Sequence, residues 1–115
     1  MLSFERLNVW QKSIGLAKRL IIIANKIPTK YQFSFADQLR RAALSIPSNI
    51  AEGAGRRGIR DMGNFYSIAR GSTYECVNII KLLEKLEEPS LKAENLDELY
   101  LQAEEIVKMI YGLSK

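Results

Sequence analysis

The segment 38–56, QLRRAALSIPSNIAEGAGR, sets a proline inside a helical apolar stripe and a dense polar face opposite it. At about 100° per residue, Phe35, Leu39, Ala42, Ala43, Ile46, Ile50 and Gly53 fall on one side. Arg41, Ser45, Ser48 and Glu52 gather on the other, with Asn49 at the boundary. Pro47 has no N–H for the carbonyl of Ala43, and its ring crowds that turn, yet the stripe carries on to Ile50. The pattern predicts a kinked but continuous helix, from an N-cap at Ser34 with Asp37 standing in for a capping-box glutamate, to about Ala54. Gly53, Gly55 and Gly58 then release the chain into a short basic turn. Such a helix must pack one side on other helices and keeps the other free for recognition.

Three more helical segments surround it. The first spans about 5–26 and stops before Pro28, because the residue preceding a proline is pushed out of the helical region. It carries two adjoining stripes: Trp10, Ile14, Ala17, Ile21 and Ala24, then Val9, Leu16, Leu20, Ile23 and Ile27. That exceeds one seam. The second stripe is therefore expected to face another subunit, the alternative being a first helix buried deeply within one chain. The third helix, about 59–87, shows Met62, Phe65, Ala69, Ser72, Cys76, Ile79 or Ile80, Leu83 and Leu86 at spacings of three and four. Gly71 and Ser72 in its middle are poor helix formers, expected there to admit a neighbouring backbone. After Pro89, a fourth helix of about 91–113 aligns Leu96, Leu99, Ala103, Ile106, Ile110 and Leu113. With no strand pattern, repeat or low-complexity tract, the fold class is all-α: an antiparallel up-down-up-down four-helix bundle occupying 1–115 as one domain.

Composition narrows the chemistry. There is no histidine, which removes the commonest general base and transition-metal ligand, and the single Cys76 lacks the partners a zinc site or a thiol nucleophile needs. Gly53, Ala54 and Gly55 lack the Lys-Ser/Thr of a phosphate loop and read as a helix terminator. No catalytic residue, metal or cofactor is expected, and the chain reads as a non-enzyme. A lone cysteine, no signal-like start and an apolar run at 20–24 far short of the roughly 20 residues of a membrane span fit a cytoplasmic protein with no membrane partner. Charge is divided: residues 1–70 hold twelve Lys and Arg against four Asp and Glu, while residues 71–115 hold five against nine. The basic half attracts polyanions unless the acidic half satisfies it, within the fold or across subunits.

Three blocks carry a resemblance to a known family: FERLNVWQKS (Phe4, Leu7, Val9, Trp10, Gln11), the 38–56 segment, and IARGSTYE at 68–75. Together they resemble the bacterial four-helix-bundle proteins encoded by intervening sequences inside large-subunit ribosomal RNA genes, and more distantly the accessory proteins of diversity-generating retroelements. Thr73, Tyr74 and Cys76 depart from the aliphatic residues usual there. The resemblance implies a homo-oligomer, a ring of five in characterised members, and an association with ribosomal RNA.

Arg40, Arg41, Arg56, Arg57, Arg60 and Arg70 are the candidate nucleic-acid contacts, since a guanidinium fork matches phosphate oxygens two at a time. Arg41, Asn49, Glu52 and Glu75 are expected to form a structural polar network. Few aromatics lie near the arginines, which favours backbone contacts or structured RNA over stacking of single-stranded bases. The sequence thus points to a non-catalytic oligomeric bundle binding ribosomal or other structured RNA through its basic half. The alternative is a scaffold that docks a partner protein and never touches nucleic acid.

Overall fold

The computed structural model describes residues 1–113. Four α-helices, α1 (Asn8–Lys26), α2 (Asp37–Ala54), α3 (Ile59–Lys85) and α4 (Leu96–Leu113), form a bundle 44 Å long and 25 Å across. Each helix packs on two others, α1 on α2, α2 on α3, α3 on α4 and α4 back on α1, closing a square around one core. The 27-residue α3 rises about 40 Å at 1.5 Å per residue, so it runs the length of the molecule.

The single-stripe helices bury the residues their spacing selects. Leu39, Ala43, Ile46 and Ile50 of α2 and Leu99, Ile106 and Ile110 of α4 are all sealed from solvent. α2 runs unbroken through Pro47, as its flanking stripe demands. On α1 the outcome differs from the expectation of a subunit-facing stripe. Val9, Leu16, Leu20, Ile23 and Ile27 are buried by the chain's own helices. Both flanks of α1 are covered, by α2 and by α4, which uses more of its circumference than one seam would. What stays outside is Ile14 and Ile22.

The helix starts also shift. Residues Ser3–Arg6 form a short 3-10 turn, and an extended Leu7 separates it from α1. Ser34 is not an N-cap. It lies inside a π-turn, Gln32–Ala36, that runs directly into α2, and its hydroxyl donates to the carbonyl of Tyr31. The wider turn has a purpose at the end of α1, where Gln32 Nε2 donates to the carbonyl of Ala24 (3.0 Å), which also accepts from the N–H of Ile27, and to that of Ile27 (2.6 Å). Between α3 and α4 the chain makes a 3-10 turn at Pro89–Leu91, capped by Glu88, before α4 begins at Leu96 rather than near Leu91. Asn95 caps α4, its Oδ1 accepting from the N–H of Glu98 at 3.1 Å.

Gly71, expected to admit a neighbouring backbone, does not. It is exposed, and a Cβ added there would meet nothing within 4 Å. The close approach is made at Gly53 of α2, where a Cβ would lie 2.5 Å from Tyr66 Cε1 of α3. Ser72 is where the helices touch through polar groups: its hydroxyl donates to Ser45 Oγ of α2 at 2.8 Å.

Candidate nucleic-acid interface

α2 ends at Ala54, and the exposed run Gly55, Arg56, Arg57, Gly58 turns the chain into α3. Arg56 is tied down here. Its guanidinium pairs with Glu52 at 3.2 Å and Asp61 at 3.7 Å and lies 4.7 Å over the Phe65 ring, clamping the end of α2 to the first turns of α3. Arg57 and Arg60 are exposed and make no ion pair among the described residues. They present two unspent forks at one tip of the bundle, with the exposed Ile59 between them.

The other arginines serve the fold in different ways. Arg40 sits at the α1–α2 connection, where Nη1 donates to Asn25 Oδ1 (3.1 Å) and Gln32 Oε1 (3.0 Å), so its fork holds the π-turn against the end of α1. Arg41 pairs with Asp37 one turn earlier at 3.1 Å, on the open surface of α2. Arg70 stacks 4.2 Å over the Tyr111 ring, bridging α3 and α4.

Arg41, Asn49, Glu52 and Glu75 do not meet as one network. Arg41 and Glu52 each take a partner four residues away, Asp37 on the same helix and Arg56 in the turn that follows it, and Glu75 is exposed. The polar contact between helices is instead Asn49–Ser45–Ser72: Asn49 Nδ2 donates to the carbonyl and hydroxyl of Ser45 (2.8 and 2.9 Å), and Ser45 Oγ accepts from Ser72. Ser45 and Asn49 stand one turn apart in the sequence, which is the signal that could have found them.

Across the bundle, α4 neutralises α1. Lys12 pairs with Glu105 at 2.6 Å, and Arg19 reaches Glu98 (3.1 Å), Gln102 (3.0 Å) and the carbonyl of Asn95 (2.8 Å). The acidic half therefore satisfies part of the basic half within one chain; Arg57, Arg60, Lys81 and Lys85 at the α2–α3 tip and on α3, and Lys18 and Lys26 on α1, stay exposed and without an ion pair among the described residues. Among the described residues no three Cys, Asp or Glu side chains converge as a metal site would require, and no helix is long and apolar enough to cross a membrane.

Cys76 is inert. Burial, helped by the neighbouring charge of Glu75, pushes its thiol up from 9.0 to about 12, leaving almost no thiolate near neutrality. Since the fold favours the protonated form, this contribution to stability is intact below about pH 9 and is lost as pH rises toward 12. A thiol reagent at pH 8 is expected to leave the native protein unmodified and to label it fully in denaturant. Labelling of the native chain at the denatured rate would contradict the buried placement.

Residues 5–112 match the family model described as 23S rRNA-intervening sequence protein. The chain belongs to that family, as its three sequence blocks imply. A comparison with curated proteins finds no match.

Proposed function

We propose that this member of the 23S rRNA-intervening sequence protein family is a non-catalytic, cytoplasmic module that binds structured RNA through its basic α2–α3 tip. The observation that carries the reading is the pair Arg57 and Arg60, exposed and without ion pairs among the described residues, on a turn that Arg56 holds in place. Guanidinium forks in that state bind phosphate without first giving up a carboxylate. Arg40 and Arg41 lie at the far end of α2, engaged by Gln32, Asn25 and Asp37, and contribute less.

Self-association is part of the reading, with the ring of five implied by the family resemblance as its expected form. The exposed Ile22 on α1 and Leu101 on α4 supply apolar surface for it on helices away from the arginine tip.

Binding of a structured RNA hairpin, measured against salt, tests the proposal. Each phosphate contact contributes a slope of somewhat under one in log affinity against log salt, or roughly eightfold in affinity at 0.1 M salt. Arg57→Gln with Arg60→Gln is therefore expected to lower the slope by up to about two and affinity by roughly sixtyfold per contacting subunit, with an unchanged melting temperature. A parent protein that binds no structured RNA at low salt would overturn it.

One observation favours a protein partner instead. Val77, Tyr100, Ala103, Val107 and Tyr111 line an open apolar groove between α3 and α4. In that case Val77→Asp abolishes partner binding while the arginine variants leave it intact.

A further inference from the structure

We infer that the RNA-binding surface extends from the arginine tip along the whole outward face of α3, which forms a track for the sugar-phosphate backbone of a structured RNA. The inference rests on the RNA-binding reading and specifies the shape of its ligand. Starting at Arg60 and stepping three or four residues at a time, the line passes through Asn64, Ser67 and Gly71, then through Tyr74 and Asn78, and ends at Lys81 and Lys85. Every one of these residues is exposed and none is acidic, while Glu75 is exposed immediately beside the line near its middle. The line climbs about 38 Å at 1.5 Å per residue, nearly the length of the bundle.

Cations mark both ends of the line, with the carboxylates of Glu84 and Glu87 exposed beside the second. Arg57 and Arg60 stand at one end and Lys81 and Lys85 at the other. The ammonium of Lys81 is steadied 3.9 Å over the Tyr100 ring while the residue stays open to solvent. The outer surface of α4 bears Glu98, Glu104 and Glu105, and the α1 cations Lys12 and Arg19 are spent on two of them. Between the cationic ends of the track, Asn64, Ser67 and Asn78 offer amide and hydroxyl groups of the kind that contact phosphates and ribose hydroxyls.

Gly71 acquires a reason here. A mid-helix glycine costs stability, and no neighbouring helix approaches this one. On a track it leaves the helix surface bare at mid-span, so a backbone can lie close. The exposed Tyr74 beside it has a hydroxyl in reach of the same ligand.

Matched substitutions at two glycines test this. Gly71 on α3 and Gly15 on α1 are both exposed, mid-helix, and free of any atom within 4 Å of an added Cβ. Gly71→Glu and Gly15→Glu therefore each add one negative charge at a site where the added Cβ meets no other atom. With an RNA hairpin of about 16 base pairs as probe, Gly71→Glu is expected to weaken binding roughly tenfold at 0.1 M salt, and Gly15→Glu by less than half of that in logarithmic terms. Lys81→Gln with Lys85→Gln should reduce the salt slope by one to two, in addition to the loss from the tip arginines. Equal losses at the two glycines, or an unaltered slope in the lysine variant, would overturn the track while leaving tip binding standing. Failure of the parent to bind would instead remove the reading on which the track rests.

Discussion

Leu20→Glu is expected to abolish the folded state rather than to dissociate an assembly. Leu20 is 1% exposed at the centre of α1, packed by the chain's own helices. Removing its side chain from the core costs about 2–5 kcal/mol. A carboxylate in its place must either remain charged without a partner or take up a proton, and protonating it at pH 7, about 2.7 units above the ordinary Glu value, costs a further ~4 kcal/mol. Together these match the whole stability of a domain this size, about 5–15 kcal/mol. Circular dichroism should show loss of the cooperative melt. Ile22→Glu, two residues on and 45% exposed, should melt like the parent, and combined with Leu101→Glu it should lower the mass reported by light scattering. A Leu20→Glu protein that stays folded but falls to the 13.1 kDa monomer would restore the subunit-facing role of that stripe.

The contrast between Leu20 and Ile22 shows which parts of the fold periodicity can read. On α2 and α4 one stripe exists, so spacing alone selects the buried residues, and Pro47 leaves the selection unchanged. On α1 the apolar arc is wider than one seam. How much of it the chain covers depends on where α2 and α4 lie, which is a property of the assembled bundle. The π-turn escaped for a related reason: it breaks the 3.6-residue period, and Gln32 within it folds back on the Ala24 and Ile27 carbonyls at the end of α1, a contact that helical spacing does not register.

The candidate site was legible as a composition and less so as a geometry. Six arginines stood out, but pairing divides them, and pairing is settled by one-turn neighbours. Asp37 holds Arg41 and Glu52 holds Arg56, while Arg57 and Arg60 have no such carboxylate in ion-pair contact among the described residues. Counting acids at i±3 and i±4 along the sequence marks Arg41 and Arg56 as paired and Arg60 as free but misplaces Arg57, whose i+4 neighbour Asp61 turns to Arg56 instead, and the link from Arg40 to Asn25 and Gln32 required the fold.

Gly53→Leu and Gly71→Leu, the same substitution on adjoining helices, are expected to have opposite effects. Both positions sit inside helices, where replacing glycine by leucine gains up to about 1 kcal/mol of intrinsic propensity. At Gly71 that gain is kept, because nothing lies within 4 Å of the new Cβ. At Gly53 the first added atom already falls 2.5 Å from Cε1 and 2.8 Å from Cδ1 of Tyr66. The ring is 2% exposed and has no open side to retreat into, so the leucine must drive it from its site or push α2 away from α3. Displacing a buried aromatic side chain costs about 3–5 kcal/mol, which outweighs the propensity gain severalfold. Thermal unfolding should therefore place Gly71→Leu at or slightly above the parent and Gly53→Leu well below it. Tyr66→Leu supplies the check on cause. If the clash is with the ring, the double variant with Gly53→Ala is more stable than Tyr66→Leu alone, although Gly53→Ala destabilises the parent. Strictly additive losses would mean that Gly53 is required for some reason other than the approach of Tyr66.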